Sequence, residues 1–227
     1  MADLSGKLIV VTGALGVLGS VVAGMAEAAG ARVARVDHAE AKASGPLVFC
    51  GVDLTNAAAA NDVMARIAAL GGGKIDGLVN IAGGFVWQTL KDGGASTFEH
   101  MFRLNLLTAV NASQAAEGAL IAAGGAIVNI GANAAARAAG GMGAYAASKS
   151  GVLRLTESLA EELAGKVRVN AVMPSIIDTP ANRRDMPKAD FASWVQPADI
   201  GKLILFLLSD DASAVTGAAI PVTNGRR

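Results

Sequence analysis

The sequence predicts a doubly wound α/β fold, one parallel sheet of about seven strands with helices on both faces. Three observations predict it. Short apolar runs alternate with longer helical stretches along the whole chain. The runs are almost continuously apolar, as in "LIVV", which fits strands buried on both sides. The first run enters the first helix through a glycine-punctuated turn, "TGALGVLGS".

In chain order, the strands are "KLIVVT" (7–12), "RVARVD" (32–37), "LVFCGVD" (47–53), "IDGLVNIAG" (75–83), "GAIVNIG" (125–131), "VRVNAVMP" (167–174) and "AAIPVT" (218–223). Helices are expected at 17–29, 56–70, 96–122, 144–164 and 197–208, with a short helical piece within 180–193. The segment Leu8 to Ala26 carries no charge and has the length of a membrane span, but Gly13, Gly16 and Gly19 interrupt it at turn spacing. The start also lacks the basic stretch and cleavage site of a signal peptide. No repeat, Pro-rich linker or long charge run divides the chain, so residues 1–227 read as one domain.

At 52% hydrophobic and 17% charged, 227 residues suffice for one substantial core. Nineteen basic residues balance 19 acidic ones, which argues against nucleic acid or an anionic membrane as partner. Cys50 is the only cysteine, so no intrachain disulfide forms, and a cytoplasmic location is expected. Cys50 reads as a small hydrophobe inside a strand. His38 and His100 lack ligand spacing, so no metal site is expected. The helices 96–122 and 144–164 are rich in Ala and small residues, which suits a homodimer or homotetramer built through them.

Gly13, Gly16 and Gly19 stand where a dinucleotide pyrophosphate needs a tight turn, close backbone approach and free helix N–H groups. Their spacing is G-x-x-G-x-x-G, and a plain Gly-rich turn has the same look. Asp37 lies 18 residues after Gly19 (37 − 19), near the offset expected of an acid that holds ribose hydroxyls. A carboxylate there favours NAD(H) over NADP(H), although a swung Arg32 or Arg35 softens that preference. Asp53 is placed to touch an adenine edge or to cap a turn. Asn80, Ala82 and Gly83 end the fourth strand, where such sheets bind ligands.

Tyr145, the only tyrosine, and Lys149 share one helix face at i and i+4. A free phenol, with a pKa of about 10, is a poor base. A nearby ammonium favours the phenolate and brings it into range for proton transfer.

Together "TGALGVLG", Asp37, "NIAGG", "RLNLLTAV", "YAASK", "VMPSIIDTP" and "VTGAAIPVTNG" make the chain resemble the short-chain dehydrogenase/reductase family over nearly its whole length. The resemblance implies a single Rossmann domain that binds a nicotinamide dinucleotide. It implies Tyr145 as general acid or base, Lys149 on the nicotinamide ribose, and Asn105 anchoring a water-mediated relay. By the same resemblance Leu15, Val17 and Leu18 contact the cofactor from the glycine loop. Leu54 does so beside Asp53, and Pro174, Ile177 and Thr179 border the nicotinamide.

Two departures stand out. Gly16 and Val17 replace the usual glycine order. The family's substrate-polarising serine should lie 13 residues before the tyrosine, and that position (145 − 13) is Ala132. Dihydropteridine reductases also lack this serine, and the chain resembles them in "AGGFVW", "GMGAY" and "DTPANRRDMPKADFASW". A quinonoid dihydropterin, a conjugated imine, needs less polarisation than an isolated carbonyl. Three other readings stay open: Asn133 donates instead, a water takes the place of the hydroxyl, or the protein binds dinucleotide without catalysis.

The segment at about 178–196, bracketed by prolines, reads as a mobile cover over a small-molecule substrate. Trp87, Met186 and Trp194 are candidate substrate contacts. Trp194 and Phe191 equally fit anchors of that cover. The expected activity is NAD(H)-dependent hydride transfer to a small, flat, conjugated substrate, with ordinary alcohol or ketone chemistry as the alternative.

Overall fold

The computed structural model describes residues 2–40 and 45–225. Seven strands form one parallel sheet in the order β3-β2-β1-β4-β5-β6-β7. They are β1 (Leu8–Thr12), β2 (Arg32–Val36), β3 (Val48–Phe49), β4 (Gly77–Asn80), β5 (Ala126–Ile130), β6 (Arg168–Pro174) and β7 (Ala219–Val222). The helices are α1 (Val17–Ala28), α2 (Ala57–Leu70), α3 (Leu90–Met101), α4 (Thr108–Ala123), α5 (Gly143–Glu162), α6 (Pro180–Asp185) and α7 (Pro197–Leu208). Strand order reverses between β1 and β4, and ligands of such sheets bind at that switch point, beyond the strands' carboxyl ends.

Alternation along each strand divides the core into two layers. Ile9 and Val11 of β1 face Val22, Ala23 and Ala26 of α1 and Ile200, Ile204 and Leu207 of α7. Leu8 and Val10 face Val63, Met64 and Ile67 of α2 and Ala112, Ala116 and Leu120 of α4. Every residue of β1, β4 and β5 is buried, which explains their unbroken apolar sequence. The uncharged stretch Leu8–Ala26 splits between β1 and α1, and among the described residues no helix is long and apolar enough to cross a membrane.

Three elements differ from the sequence expectation, each for a local reason. β4 stops at Asn80 because the N–H groups of Ile81 and Ala82 turn to Thr12 Oγ1, both at 3.1 Å. β3 is only two residues long, so Cys50 lies past its end and is half-exposed, not inside a strand. The helix expected at 96–122 starts earlier, capped by Thr89, and is interrupted by a π turn over Phe102–Leu107. That turn carries Asn105, the residue singled out for the relay, and π turns recur at functional sites.

Candidate active site

The glycine loop leaves β1 with Gly13 at φ +65, and a Cβ there would stand 2.9 Å from Ala82 N. A Cβ on Gly19 would meet Gly13 O at 2.0 Å, so glycine is what lets α1 close onto the strand. Gly16 caps α1 without a side chain, leaving the helix's first N–H groups for a ligand. Val17 is exposed at that end, Leu15 is half-buried, and Leu18 is turned into the core, so only its backbone is available.

Asp37 Oδ2 accepts the Leu15 N–H at 2.8 Å, and Oδ1 accepts the Ala39 N–H at 2.9 Å. The carboxylate therefore stands against the loop. The two arginines that bear on NADP acceptance are engaged elsewhere. Arg35 pairs with Glu27 at 2.9 Å, and Arg32 donates to Leu70 O at 3.1 Å. Asp53 is exposed, and its pKa is lowered by the Thr55 hydroxyl and then by the Thr55 N–H, which donates to Oδ1 at 2.8 Å. Leu54 is buried in the core, and its carbonyl accepts from Asn111. An uncapped helix start, a glycine cradle and an adjacent carboxylate fit a dinucleotide.

Asn80 needs reassignment. Its side chain is 4% exposed and donates to Asn129 Oδ1 at 2.8 Å and Ser113 Oγ at 3.1 Å. It ties β4 to β5 and α4 in the interior and does not face a cofactor. Its Oδ1 is the one fully buried side-chain polar atom without a partner among the described residues.

Around the chemistry, Asn105 Oδ1 accepts the Gly84 N–H at 2.9 Å, and its Nδ2 donates to Ser148 Oγ at 3.0 Å. Ser148 in turn donates to the Tyr145 carbonyl at 2.7 Å. A Cβ on Gly83 would lie 2.5 Å from Asn105 Oδ1 and 3.6 Å from Lys149 Nζ, so this backbone passes between them. Lys149 is buried and donates to Ile130 O at 2.8 Å, at the end of β5.

Burial dominates both titrating groups. It pushes the Tyr145 phenol up to about 12 and pulls the Lys149 ammonium down to about 8. Burial alone sets the direction of the Tyr145 shift, with no lowering from Lys149, and it keeps the phenol protonated at neutral pH. Phe85 meets its ring edge to face, centroids 4.9 Å apart at 85°.

Ala132 is buried, and Asn133 is exposed at the start of a turn over Asn133–Ala135. Pro174 is buried at the end of β6, with Ile177 and Thr179 half-buried beyond it. Thr179 caps α6 by accepting the Asn182 N–H at 3.1 Å.

Within residues 178–196, Arg183 forks onto Asp178 at 2.6 and 2.7 Å and lies over the Phe191 ring at 4.7 Å. Trp194 is 3% exposed, against Phe191. It anchors the segment and is not free to touch substrate. Met186 is half-buried at the end of α6. Trp87 is 61% exposed and is held by its Nε1 donating to Gly140 O at 3.0 Å, against the turn that leads to Tyr145.

Sequence reading missed Phe85 and Ser148, although both sit in quoted motifs. Phe85 follows "AGG", and Ser148 lies three residues after Tyr145, one helical turn on. His38 and His100 are exposed, and among the described residues no three His, Cys, Asp or Glu are grouped to hold a metal ion.

Residues 13–226 match the family profile described as enoyl-(acyl carrier protein) reductase. The chain is 31% identical to a 2-(S)-hydroxypropyl-CoM dehydrogenase of Xanthobacter autotrophicus, over 98% of this chain and 97% of that one. It is 33% identical to the L-xylulose reductase of Bos taurus, again over 98% and 97%. Among solved structures it is similar to an aldohexose dehydrogenase of Thermoplasma acidophilum, with a TM-score of 0.89 and 26% identity over 99% of this chain and 95% of that one.

Proposed function

The chain belongs to the short-chain dehydrogenase/reductase family, and on that premise we propose that it is an NAD(H)-dependent reductase of a small, flat, conjugated substrate of the quinonoid dihydropterin kind. The observation that carries the reading is the combination at Tyr145: a half-buried, protonated phenol against the Phe85 ring, with Ala132 where a polarising hydroxyl is usual. Phe85 at 53% and Trp87 at 61% exposure present aromatic faces that suit a flat ring.

A reduced nicotinamide supplies hydride when bound; the chain's residues do the rest. The glycine loop and the α1 N-terminus would hold the pyrophosphate, and Asp37 would hold the adenosine ribose and disfavour a 2′-phosphate. Lys149 would bind the nicotinamide ribose, beside Asn105, whose side chain is fixed within the π turn by Gly84 and Ser148. Tyr145 gives its proton to the heteroatom that gains charge as the carbon takes hydride. In a conjugated imine that charge spreads over several heteroatoms, so one phenol meets most of the need.

A second reading has specific support. Relatives named for L-xylulose and D-threitol point to ordinary carbonyl and alcohol chemistry at the same tyrosine. The protein is also proposed to act as a homo-oligomer, because Phe98 and Phe102 are 40% and 50% exposed beside the small residues Ala144 and Ala147.

The test is NADH oxidation by the purified protein with freshly generated quinonoid dihydropterin, beside a ketone panel and the uncatalysed blank. Turnover of the pterin well above blank, with ketones slower, is expected. Ketone turnover with the pterin at blank supports the second reading and overturns the first.

A further inference from the structure

We propose that Ser175 supplies the second hydrogen-bond donor of this site, in place of the hydroxyl absent at Ala132. The inference rests on the oxidoreductase reading with Tyr145 as acid and holds for either substrate class.

The placement follows from strand register. β5 and β6 pair in parallel with Ile130 beside Val172, and Gly131 N–H donates to Val172 O at 2.9 Å. That bond carries the ladder one step on, with Gly131 beside Met173, before the chain turns at Asn133–Ala135. The backbone past β6 is still held, since Ser175 N–H donates to Val222 O at 3.0 Å. Side-chain direction follows as well. A Cβ on Gly131 would lie 3.4 Å from Met173 Cγ and 2.9 Å from Leu153 Cδ2 of α5, so Met173 faces α5. Ser175 follows β6 by one residue with its N–H still on the β7 ladder, and two positions on from Met173 we infer the same side for it, that of the helix carrying Tyr145 and Lys149.

Elimination points to the same residue. Ser148 Oγ donates to Tyr145 O at 2.7 Å, and Ser150 Oγ donates to Ala135 O at 2.9 Å. Thr179 Oγ1 is occupied in capping α6, and Asn133 is exposed. Ser175 is half-buried, and its hydroxyl has no hydrogen-bond partner among the described residues. A hydroxyl without a protein partner at a ligand-binding strand end can rotate to donate to a bound substrate.

Ser175 donates a hydrogen bond and keeps its proton. The substrate carbon takes hydride with its electron pair, charge grows on the neighbouring oxygen or nitrogen, and the proton that neutralises it comes from Tyr145. The value of Ser175 therefore scales with how localised that charge is. Removing it should lower turnover of an isolated ketone by about a hundredfold and leave a conjugated imine far less affected.

The experiment compares Ser175→Ala, Ser175→Thr, Ala132→Ser with Ser175→Ala, and Tyr145→Phe. One readout is kcat on a ketone and on quinonoid dihydropterin. A second needs no turnover: affinity of the protein–NADH complex for isobutyramide, an inert carbonyl, followed by NADH fluorescence. Loss of ketone kcat and of amide affinity in Ser175→Ala, unchanged NADH binding, and recovery in Ser175→Thr and in the double variant are expected. The inference is overturned if Ser175→Ala matches wild type on both readouts, if Asn133→Ala shows the loss instead, or if the wild-type complex holds no amide. Ser175→Ala at wild-type level with Tyr145→Phe inactive overturns the Ser175 assignment alone. An active Tyr145→Phe overturns the functional reading beneath it.

Discussion

Asn105 and Ser148 are joined across two helices by a buried hydrogen bond of 3.0 Å, and this bond links the π turn to the helix that carries Tyr145 and Lys149. Asn105 is 1% exposed and Ser148 4%, so neither can turn to water if its partner is lost. Ser148→Ala leaves the Asn105 Nδ2 only the weak Met101 sulfur acceptor at 3.7 Å and should cost about 1–3 kcal/mol. Thermal unfolding should show a fall of roughly 2–4 °C per kcal/mol for a chain of this size, with kcat lowered as the proposed relay residue Asn105 shifts. An unchanged Tm and kcat would show that the bond is incidental.

Gly19 and Gly24 lie on the same helix and predict opposite outcomes. Gly19→Ala drives a methyl to 2.0 Å from the Gly13 carbonyl, forcing the loop open. It should destabilise the fold and weaken NADH binding, read by unfolding and by fluorescence titration. Gly24→Ala meets nothing within 4 Å and should stabilise α1 by about 0.5–1 kcal/mol through helix propensity, with NADH binding intact.

Cofactor choice is predicted to rest on Asp37. Asp37→Ser removes the acceptor of the Leu15 N–H and the repulsion of a 2′-phosphate. kcat/KM should fall about tenfold with NADH and rise with NADPH, tenfold being ~1.4 kcal/mol. Adding Glu27→Gln releases Arg35 from its ion pair and should shift the ratio further towards NADPH. A ratio unmoved by both changes would place the selectivity elsewhere.

The two buried titrating groups predict opposite stability slopes with pH. Lys149 is depressed to about 8 in the fold, so between there and its unfolded value near 10.5 the unfolded state holds the extra proton, and stability rises with pH. Tyr145 is raised to about 12, so above its unfolded value near 10 the folded state holds the extra proton, and stability falls. Unfolding free energy measured against pH should climb above about 8 in wild type, and this climb should be missing in Lys149→Met. Tyr145 is the only tyrosine, so tyrosinate absorbance reads it alone. A midpoint near 10 in the folded protein would contradict the burial assigned to it.

Most of the strand set and the position of the cofactor end were legible because burial on both faces and glycine geometry are local properties of sequence. Elements that depend on side chains from elsewhere were not. β4 is cut short by Thr12, a residue of a neighbouring strand. The π turn at Asn105 is held by Gly84 and Ser148, and no periodicity in 96–122 announces it. Asn80 looked like a ligand contact because it ends a strand, yet its partners Ser113 and Asn129 draw it inside. Trp194 is aromatic and near the site in sequence, but packing against Phe191 decides its role. The Tyr145–Lys149 pair was readable, while the state of both groups was not, since desolvation depends on everything that surrounds them.

The central claim is that Tyr145 is the proton donor in hydride transfer, and Tyr145→Phe tests it most directly, with NADH binding and NADH oxidation measured on the same protein. The change removes one oxygen and keeps the ring against Phe85, so the fold and NADH affinity should hold. Turnover should fall by about 10²–10⁴-fold, the contribution of a positioned acid. Turnover near wild type with NADH still bound would contradict the claim.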